Sequence, residues 1–393
     1  MRLISFLGTG KYEETSYTLN GQNCKTKYVA AALMQLLKAD ELTVLATKEA
    51  RTTHEASLQQ ELSRLGLVKA EIKDIPSGSN EQELWQQFEV IREATIEKSP
   101  KSITFDITLG FRAPPFFAAA IINYLRNTQT EMPEMHVVYG EFRKDETNSP
   151  IWDLSAFISL LDWSSALQNF LKTGHGGRLA DLVKQENALL QKHPSGGRRP
   201  TRLSALVSTL KEFSENIATV RCSKIITGDE RSEGSARKVL KKIEESRDEV
   251  KEYFKPLAPI LDSLSERLKD LPSDSLFGQA GHDAMSALAK LYLDYERYPE
   301  AAIVVREGWI SLYDANVHLS DDQRLAQDKR TNTEKCWRDQ EGVGAKKGTG
   351  ADTLSNVRND IEHGGFNEQP KPAKTLIEEI KKCANVFDNK KLG

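Results

Sequence analysis

The chain has 393 residues, of which 39% are hydrophobic and 28% charged, and its formal net charge is -3. This length favours two domains, and the charge excludes the overall basic signature of an extensive nucleic-acid binder. No apolar run in the sequence approaches the ~20 residues that a membrane span needs, so we expect no membrane contact. The cysteines are scattered without CxxC spacing, which disfavours a disulfide framework or zinc site and favours a reducing cytoplasm: Cys24, Cys222, Cys336 and Cys383.

Apolar runs alternate with helix-like stretches over roughly the first 150 residues. This alternation is typical of a parallel, doubly wound sheet, so we expect an α/β, Rossmann-like domain at 1–150. Its predicted strands are Leu3–Leu7, Glu41–Ala46, Ala70–Ile75, Ser102–Ile107 and Met135–Tyr139. Its predicted helices are Lys27–Leu37, Glu81–Glu97 and Pro114–Arg126.

From Trp152 onward the pattern is helical, with almost no strand signal. We expect connecting helices at 151–200 and an all-α domain at 201–393. Residues near 228–275 are rich in charge, and we predict that they form a helical insertion with a solvated face. The predicted helices are 153–172, 177–191, 201–222, 232–270, 280–297, 299–316, 353–363 and 370–387.

The predicted helix 353–363 has two distinct faces. Its apolar residues recur at helical spacing and form a stripe that anchors the helix in a core: Leu354, Val357 and Ile361. Arg358, Asn359 and His363 can then share a polar surface, and two glycines end the helix directly after His363. The helix dipole favours the protonated form of a histidine in the last turn by about 0.3–1 kcal/mol.

These three polar residues suit attack on a phosphodiester. A ribose 2′-hydroxyl attacks the adjacent phosphorus, Arg358 stabilises the added charge, and His363 takes part in proton transfer. Asn359 orients His363 or the substrate. No carboxylate cluster marks a metal site, so we expect activity without a metal or cofactor, at a site completed by a second chain in a two-fold dimer. The alternative is that R-x4-H occurs here by chance and that Arg358 forms an ordinary surface pair with Glu362.

Two predicted loops, Gly8–Tyr12 and Asp106–Arg112, lie at the carboxyl ends of strands, where open α/β sheets bind ligands. Both offer backbone N–H groups, hydroxyls and a cation, which suits phosphate. Their glycine spacing matches neither GxGxxG nor a Walker A loop, so nicotinamide and ATP are disfavoured. Alternatively, the glycines only make turns and Asp106 caps one of them. The candidate ligand-binding residues are Gly8, Thr9, Gly10, Lys11, Tyr12, Thr47, Lys48, Asp106, Thr108, Gly110, Phe111 and Arg112.

Ser5–Gly10, Asp106–Arg112 and the Arg358-Asn359…His363 pattern together resemble the CRISPR-associated CARF–HEPN ribonucleases of type III systems. The resemblance spans nearly the whole chain, with CARF over about 1–150 and HEPN in the C-terminal half, and two further segments are similar: Leu160–Trp163 and Ala287–Gly308. It implies a homodimer, or a higher oligomer, that binds a cyclic oligoadenylate, with cyclic tetra-adenylate favoured. Binding would then activate a composite HEPN site that cuts single-stranded RNA in antiviral defence.

One position departs from the family pattern. The motif Asp-x-Thr-His-Gly matches at Asp106, Thr108 and Gly110, but Leu109 replaces the histidine. A leucine is compatible with ligand binding and counts against degradation of the activator, because its side chain exchanges no protons. Two alternatives therefore stand beside the ribonuclease: a non-enzymatic nucleotide-sensing regulator whose helical domain only dimerises or recruits a partner, and a ring nuclease that degrades the cyclic activator.

Overall fold

The computed structural model describes residues 1–109, 114–128, 133–143, 148–192, 202–253, 255–341, 351–366 and 368–390. The chain forms two compact units, Met1–Asp162 and Trp163–Gly393. The predicted fold class, an α/β part followed by a helical part, is confirmed. None of the described helices combines the length and the apolar character needed to cross a bilayer.

The first unit is built on an eight-stranded sheet with the order β3-β2-β8-β7-β6-β1-β4-β5. Strands β1, β4, β5, β6 and β7 run parallel, β8 is antiparallel to β7, and β3 is antiparallel to β2. The sheet is therefore mixed at one side rather than parallel throughout. The strands are β1 (Arg2–Leu7), β2 (Thr15–Leu19), β3 (Gln22–Thr26), β4 (Glu41–Ala46), β5 (Glu71–Asp74), β6 (Ser102–Asp106), β7 (Glu134–Gly140) and β8 (Asn148–Asp153).

Helices cover both faces of this sheet, as in a doubly wound fold. They are α1 (Val29–Leu37), α2 (Lys48–Arg64), α3 (Glu81–Ile96) and α4 (Pro114–Thr128). Alternate residues of β1 point to opposite faces: Leu3 and Leu7 pack with α1 and α2, whereas Ile4 and Phe6 pack with α3 and α4. Because the parallel strands end at one edge, the loops that follow them come together there.

In its described residues, the second unit is helical apart from a two-strand hairpin, β9 (Gly228–Asp229) and β10 (Ser232–Glu233), a short 3-10 turn at Lys255–Leu257, and the connecting loops. Its helices include the end of α5 (Ser155–Thr173), within which the two units divide. The others are α6 (Gly177–Lys192), α7 (Leu203–Ala218), α8 (Cys222–Ile226), α9 (Ser235–Tyr253), α10 (Ala258–Leu268), α11 (Gly278–Asp294), α12 (Tyr298–Leu312), α13 (Asp321–Arg324), α14 (Gln327–Glu341), α15 (Ala351–Glu362) and α16 (Ala373–Asp388).

The charged segment near 228–275 packs into the core of this unit. Its helix α9 buries one apolar side, including Val239 and Ile243, and α10 buries Leu264 and Leu268 in the same cluster. The charges occupy the other side of α9, where Arg247 pairs with two carboxylates. The segment is thus an amphipathic part of the helical core.

Candidate active site and candidate ligand site

The structure confirms the two-faced helix α15. Leu354 and Val357 are 1% and 0% exposed, and Ile361 packs against the same core. Asn359 and His363 are exposed, and the Arg358 side chain is 35% exposed. The predicted polar residues therefore share the solvent side of α15, whereas α12, α14 and α16 pack around the helix.

Arg358 makes two contacts along its own helix. Its Nη2 donates a hydrogen bond to Asn359 Oδ1 at 3.1 Å. Its Nε lies 3.2 Å from Glu362 Oε2, but this nitrogen is buried and has no hydrogen-bond partner, so the pair is ionic without a directed hydrogen bond. The surface pair with Glu362 therefore exists. A phosphate at Arg358 would have to compete with this carboxylate.

The chain turns sharply after Glu362. The His363 N–H donates to Asn359 O at 3.0 Å and closes the last helical turn. Gly364 and Gly365 both have positive φ, +60° and +74°, which a side chain would disfavour. Asp360 is 8% exposed, and its Oδ2 accepts the Lys371 N–H at 3.0 Å. The position of His363 is thus set by a braced turn.

At the sheet edge, the loop after β1 folds back on itself. The Gly8 N–H donates to Tyr12 Oη at 2.7 Å, and the Tyr12 hydroxyl lies 3.0 Å from Gly8 O. Burial raises the pKa of Tyr12 to about 12, so this hydroxyl stays protonated at neutral pH. Thr9, Gly10 and Lys11 are exposed. The loop therefore presents its tip, with one cation, to solvent.

His54 of α2, which the sequence did not single out, supports this loop. Its Nε2 lies 2.9 Å from Gly10 O, and its Nδ1 lies 3.3 Å from the Tyr28 hydroxyl. Because a carbonyl can only accept, Nε2 carries the proton and Nδ1 accepts from Tyr28. The Tyr12 ring packs on the imidazole with 4.5 Å between ring centroids. Two buried side chains thus hold the candidate ligand loop from behind.

Asp106 is 0% exposed. Its carboxylate accepts from Ser5 Oγ at 2.6 Å and from the Thr108 N–H at 3.0 Å. Burial raises the pKa of this carboxyl, and the hydrogen bonds from Ser5 and Thr108 act against the rise. Thr108 Oγ1 in turn accepts the Gly140 N–H at 2.7 Å. The capping role is therefore present, and Asp106 acts on the loop rather than on solvent.

Thr47 and Lys48 start α2. Thr47 caps the helix by accepting the Ala50 N–H at 3.3 Å, and Lys48 is exposed. Both line a cleft of about 490 Å³ that also reaches Ser77 and Glu83. Hydrogen bonds from Ser79 and Ser77 lower the pKa of Glu83. The donors of the loop that holds Ser77 and Ser79 are therefore already bound to the Glu83 carboxylate. Lys48 is the cation among the residues that line this cleft, and it lies at the same sheet edge as the Gly8–Tyr12 loop.

Three predicted ligand residues, Gly110, Phe111 and Arg112, lie outside the described residues. Within the described part of the chain, no three His, Cys, Asp or Glu side chains lie close enough to hold a metal ion together. The candidate residues thus fall into two groups, one in each unit. Both groups stay predictions of binding or catalysis.

The fold joins an α/β unit with a polar sheet edge to a helical unit with a polar helix face. A model of the family described as "CRISPR-associated protein MJ1674, second domain" matches residues 159–275. This stretch extends from α5 to just past α10, so it includes the charged segment and stops short of α15. The match supports a CRISPR-associated protein. A comparison with curated proteins finds no match.

Proposed function

We propose that this protein is a metal-independent endoribonuclease of type III CRISPR defence, which a cyclic oligoadenylate activates and which cuts single-stranded RNA. The observation that carries the proposal is the solvent side of α15, where Arg358, Asn359 and His363 stand on an anchored helix. The CRISPR-associated family match and the polar sheet edge support it. The helix is rigidly packed, which suits a site that must hold its groups in place.

In the proposed reaction, the ribose O2′–phosphorus bond forms and the phosphorus–O5′ bond breaks. The 2′-hydroxyl loses a proton and O5′ gains one, so the products carry a 2′,3′-cyclic phosphate and a 5′-hydroxyl. Arg358 stabilises the charge that builds on the phosphoryl oxygens. One His363 can serve only one of the two proton transfers at a time, so a second copy of the chain supplies the other.

The sheet edge supplies the sensor in this proposal. A cyclic oligonucleotide carries one negative charge per phosphate and has rotational symmetry, which a two-fold dimer can match with Lys11 and Lys48 from both copies. Activation requires that the ligand bind one arrangement of the dimer more tightly than another. Leu109 offers no group for proton exchange, which disfavours degradation of the ligand.

The test is cleavage of a fluorescent single-stranded RNA in EDTA, with and without cyclic tetra-adenylate or cyclic hexa-adenylate. We expect cleavage only with ligand, 2′,3′-cyclic phosphate ends, and none in an RNA whose scissile nucleotide is 2′-deoxy. Absence of cleavage in every condition contradicts the ribonuclease and favours the regulator. Equal cleavage without ligand contradicts the switch, and loss of the cyclic ligand during incubation identifies a ring nuclease.

A further inference from the structure

Helix α14 brings another cation to the polar side of α15. Arg338 Nη2 donates a hydrogen bond to Ser355 Oγ at 2.9 Å. Ser355 precedes Arg358 by three residues and Asn359 by four, so the side chains of these three residues are neighbours on one helix face. The Arg338 guanidinium is therefore bound to a residue that lies about one helical turn, roughly 5 Å along the axis, before Arg358 and Asn359 and about two turns before His363.

A chain of ion pairs holds Arg338 in place. Glu334 pairs with Arg338 at 2.8 Å and with Arg306 at 2.6 Å. Glu307 pairs with Arg306 and with Arg330, each at 2.5 Å. The network has three arginines and two glutamates, which leaves one positive charge in excess. Arg338 is 44% exposed against 13% and 16% for the other two arginines, so that excess faces solvent at Arg338.

The contacts of Arg338 leave part of its guanidinium available. Its hydrogen bonds to the described residues both use Nη2, which donates to Glu334 Oε1 and to Ser355 Oγ. A guanidinium has five N–H donors, so those on Nε and Nη1 have no partner among the described residues. An arginine fixed on one side and open on the other binds an anion with little further loss of side-chain freedom.

We propose that Arg338 is a further substrate-binding residue of the α15 site, which contacts an RNA backbone phosphate next to the one at Arg358. This inference rests on the proposed function. Ser355 and Glu334 are positioning residues that aim the guanidinium. A single strand that lies across α15 then meets two cations about one turn apart, one at the reacting phosphate and one at its neighbour.

The test measures binding of a 2′-O-methyl single-stranded RNA, which cannot be cleaved, by fluorescence anisotropy over a range of salt concentrations with cyclic tetra-adenylate present. Each phosphate contact to a single strand contributes about -0.7 to the slope of log K against log salt. We expect Arg338→Gln to weaken binding about tenfold and to reduce that slope by about 0.7. Arg338→Lys keeps the charge and should keep the slope.

Arg247→Gln is the matched control. Arg247 is also a helical arginine with carboxylate partners and is 37% exposed, but it lies on α9 and pairs with Glu244 and Asp262. The Arg247→Gln variant should bind RNA with the affinity and the salt slope of the wild type. If Arg338→Gln has the wild-type affinity and salt slope, or if Arg247→Gln changes them equally, the inference is overturned.

Cleavage of unmodified RNA separates this inference from the proposed function. In that assay Arg338→Gln should raise KM about tenfold and leave kcat within about twofold, since it removes ground-state binding. A wild-type protein that binds the 2′-O-methyl RNA but cuts nothing contradicts the ribonuclease and leaves Arg338 as a binding residue. A wild-type protein that cuts RNA and is indifferent to Arg338→Gln contradicts only the role of Arg338.

Discussion

The sheet edge combines exposed candidates such as Lys11 and Lys48 with buried or backbone-bonded ones, whereas the α15 face presents its candidates to solvent. At the edge, Asp106 is 0% exposed and Tyr12 and Thr47 are engaged with neighbouring backbone, so these side chains shape loops. On α15, Asn359 and His363 are exposed, and the helix is held by its apolar stripe and by the contacts of Ser355 and Asp360. A motif therefore marks the neighbourhood of a site. Burial then decides which of its side chains can touch a ligand and which only position the others.

The largest effect should come from the exposed side of this comparison. We expect His363→Ala to lower kcat for RNA cleavage by about 10²- to 10⁴-fold, because it removes a proton-transfer group. Asn356→Ala, a change at another exposed position of α15, should stay within about twofold. Activity is followed with saturating RNA and activator. A His363→Ala variant with the wild-type kcat would clear this residue of any catalytic role.

The buried side of the comparison predicts a loss of stability at Asp106. Asp106→Ala leaves the buried Ser5 hydroxyl and the part-buried Thr108 N–H without their partner, at a cost of about 1–3 kcal/mol for the buried hydroxyl. Asp106→Asn can keep both contacts, since its amide accepts from Thr108 and donates to Ser5. Hydrogen exchange of the β1 and β6 amides resolves the stability of this unit. Equal protection in Asp106→Ala and wild type would contradict a structural role.

The difference in stability between Asp106→Asn and the wild type should depend on pH, and the pKa of Asp106 sets the sign of that dependence. Burial raises the pKa of Asp106 in the folded protein above its ordinary value of 3.8, so folding favours the protonated form. The wild type then loses that contribution as pH rises from about 3.8 through the raised pKa, whereas asparagine does not titrate. We therefore expect the stability of Asp106→Asn relative to wild type to increase with pH over this window. A difference that is constant with pH would contradict the raised pKa.

A smaller effect on ligand affinity should follow when the hydrogen bonds of His54, which hold the Gly8–Tyr12 loop, are weakened. Tyr28→Phe removes the hydrogen bond to His54 Nδ1, so His54 is held less firmly against Gly10 O. We expect the Kd for cyclic tetra-adenylate, measured by calorimetry, to rise about 2- to 10-fold. Tyr124→Phe, on the exposed side of α4, is the control. Unchanged affinity in Tyr28→Phe would separate this network from ligand binding.

The smallest effect should come from the ion pair within α15. Glu362→Gln removes the carboxylate beside Arg358, and exposed i,i+4 pairs contribute only about 0.3–0.5 kcal/mol. We expect a correspondingly small loss of stability and a cleavage rate about twofold higher, because a phosphate no longer competes with Glu362. A rate as low as that expected for His363→Ala would instead place Glu362 in the catalytic machinery.

Four of the five predicted strands have mostly apolar runs, whereas the fifth, predicted at Ala70–Ile75, is the polar edge strand β5. Strands β1, β4, β6 and β7 lie inside the sheet and are covered by helices on both faces, which favours such runs. Strands β2, β3 and β8 were missed because their sequences mix polar and apolar residues and lie at the mixed side of the sheet. The pairing of β2 with β8 joins partners distant in sequence, which a local pattern does not contain, whereas β2 and β3 form a local hairpin around Asn20-Gly21.

Helix α2 was also missed, although its buried residues recur every fourth position: Ala50, His54, Leu58 and Leu62. Because polar residues separate the members of this stripe, neither the helix nor the buried position of His54 was predicted. Helix α14 consists mostly of charged residues, and Trp337 is the large side chain that is fully buried among those whose burial the structure describes. The polar face of α15 could be predicted because it follows from the period of one helix. Arg338 could not, because it comes from another helix 17 residues away.

The turn after α15 also makes occupancy of the site observable without a catalytic assay. Phe366 is 93% exposed and follows His363 by three residues, so a protease that cuts after aromatic residues has a target beside the site. A nick there would leave α16 docked, because Ile380, Cys383 and Phe387 are buried in the helical core. Bound RNA, or a second copy of the chain that covers this face, should shield the bond. Digestion at Phe366 is therefore a footprint of whatever covers the α15 face.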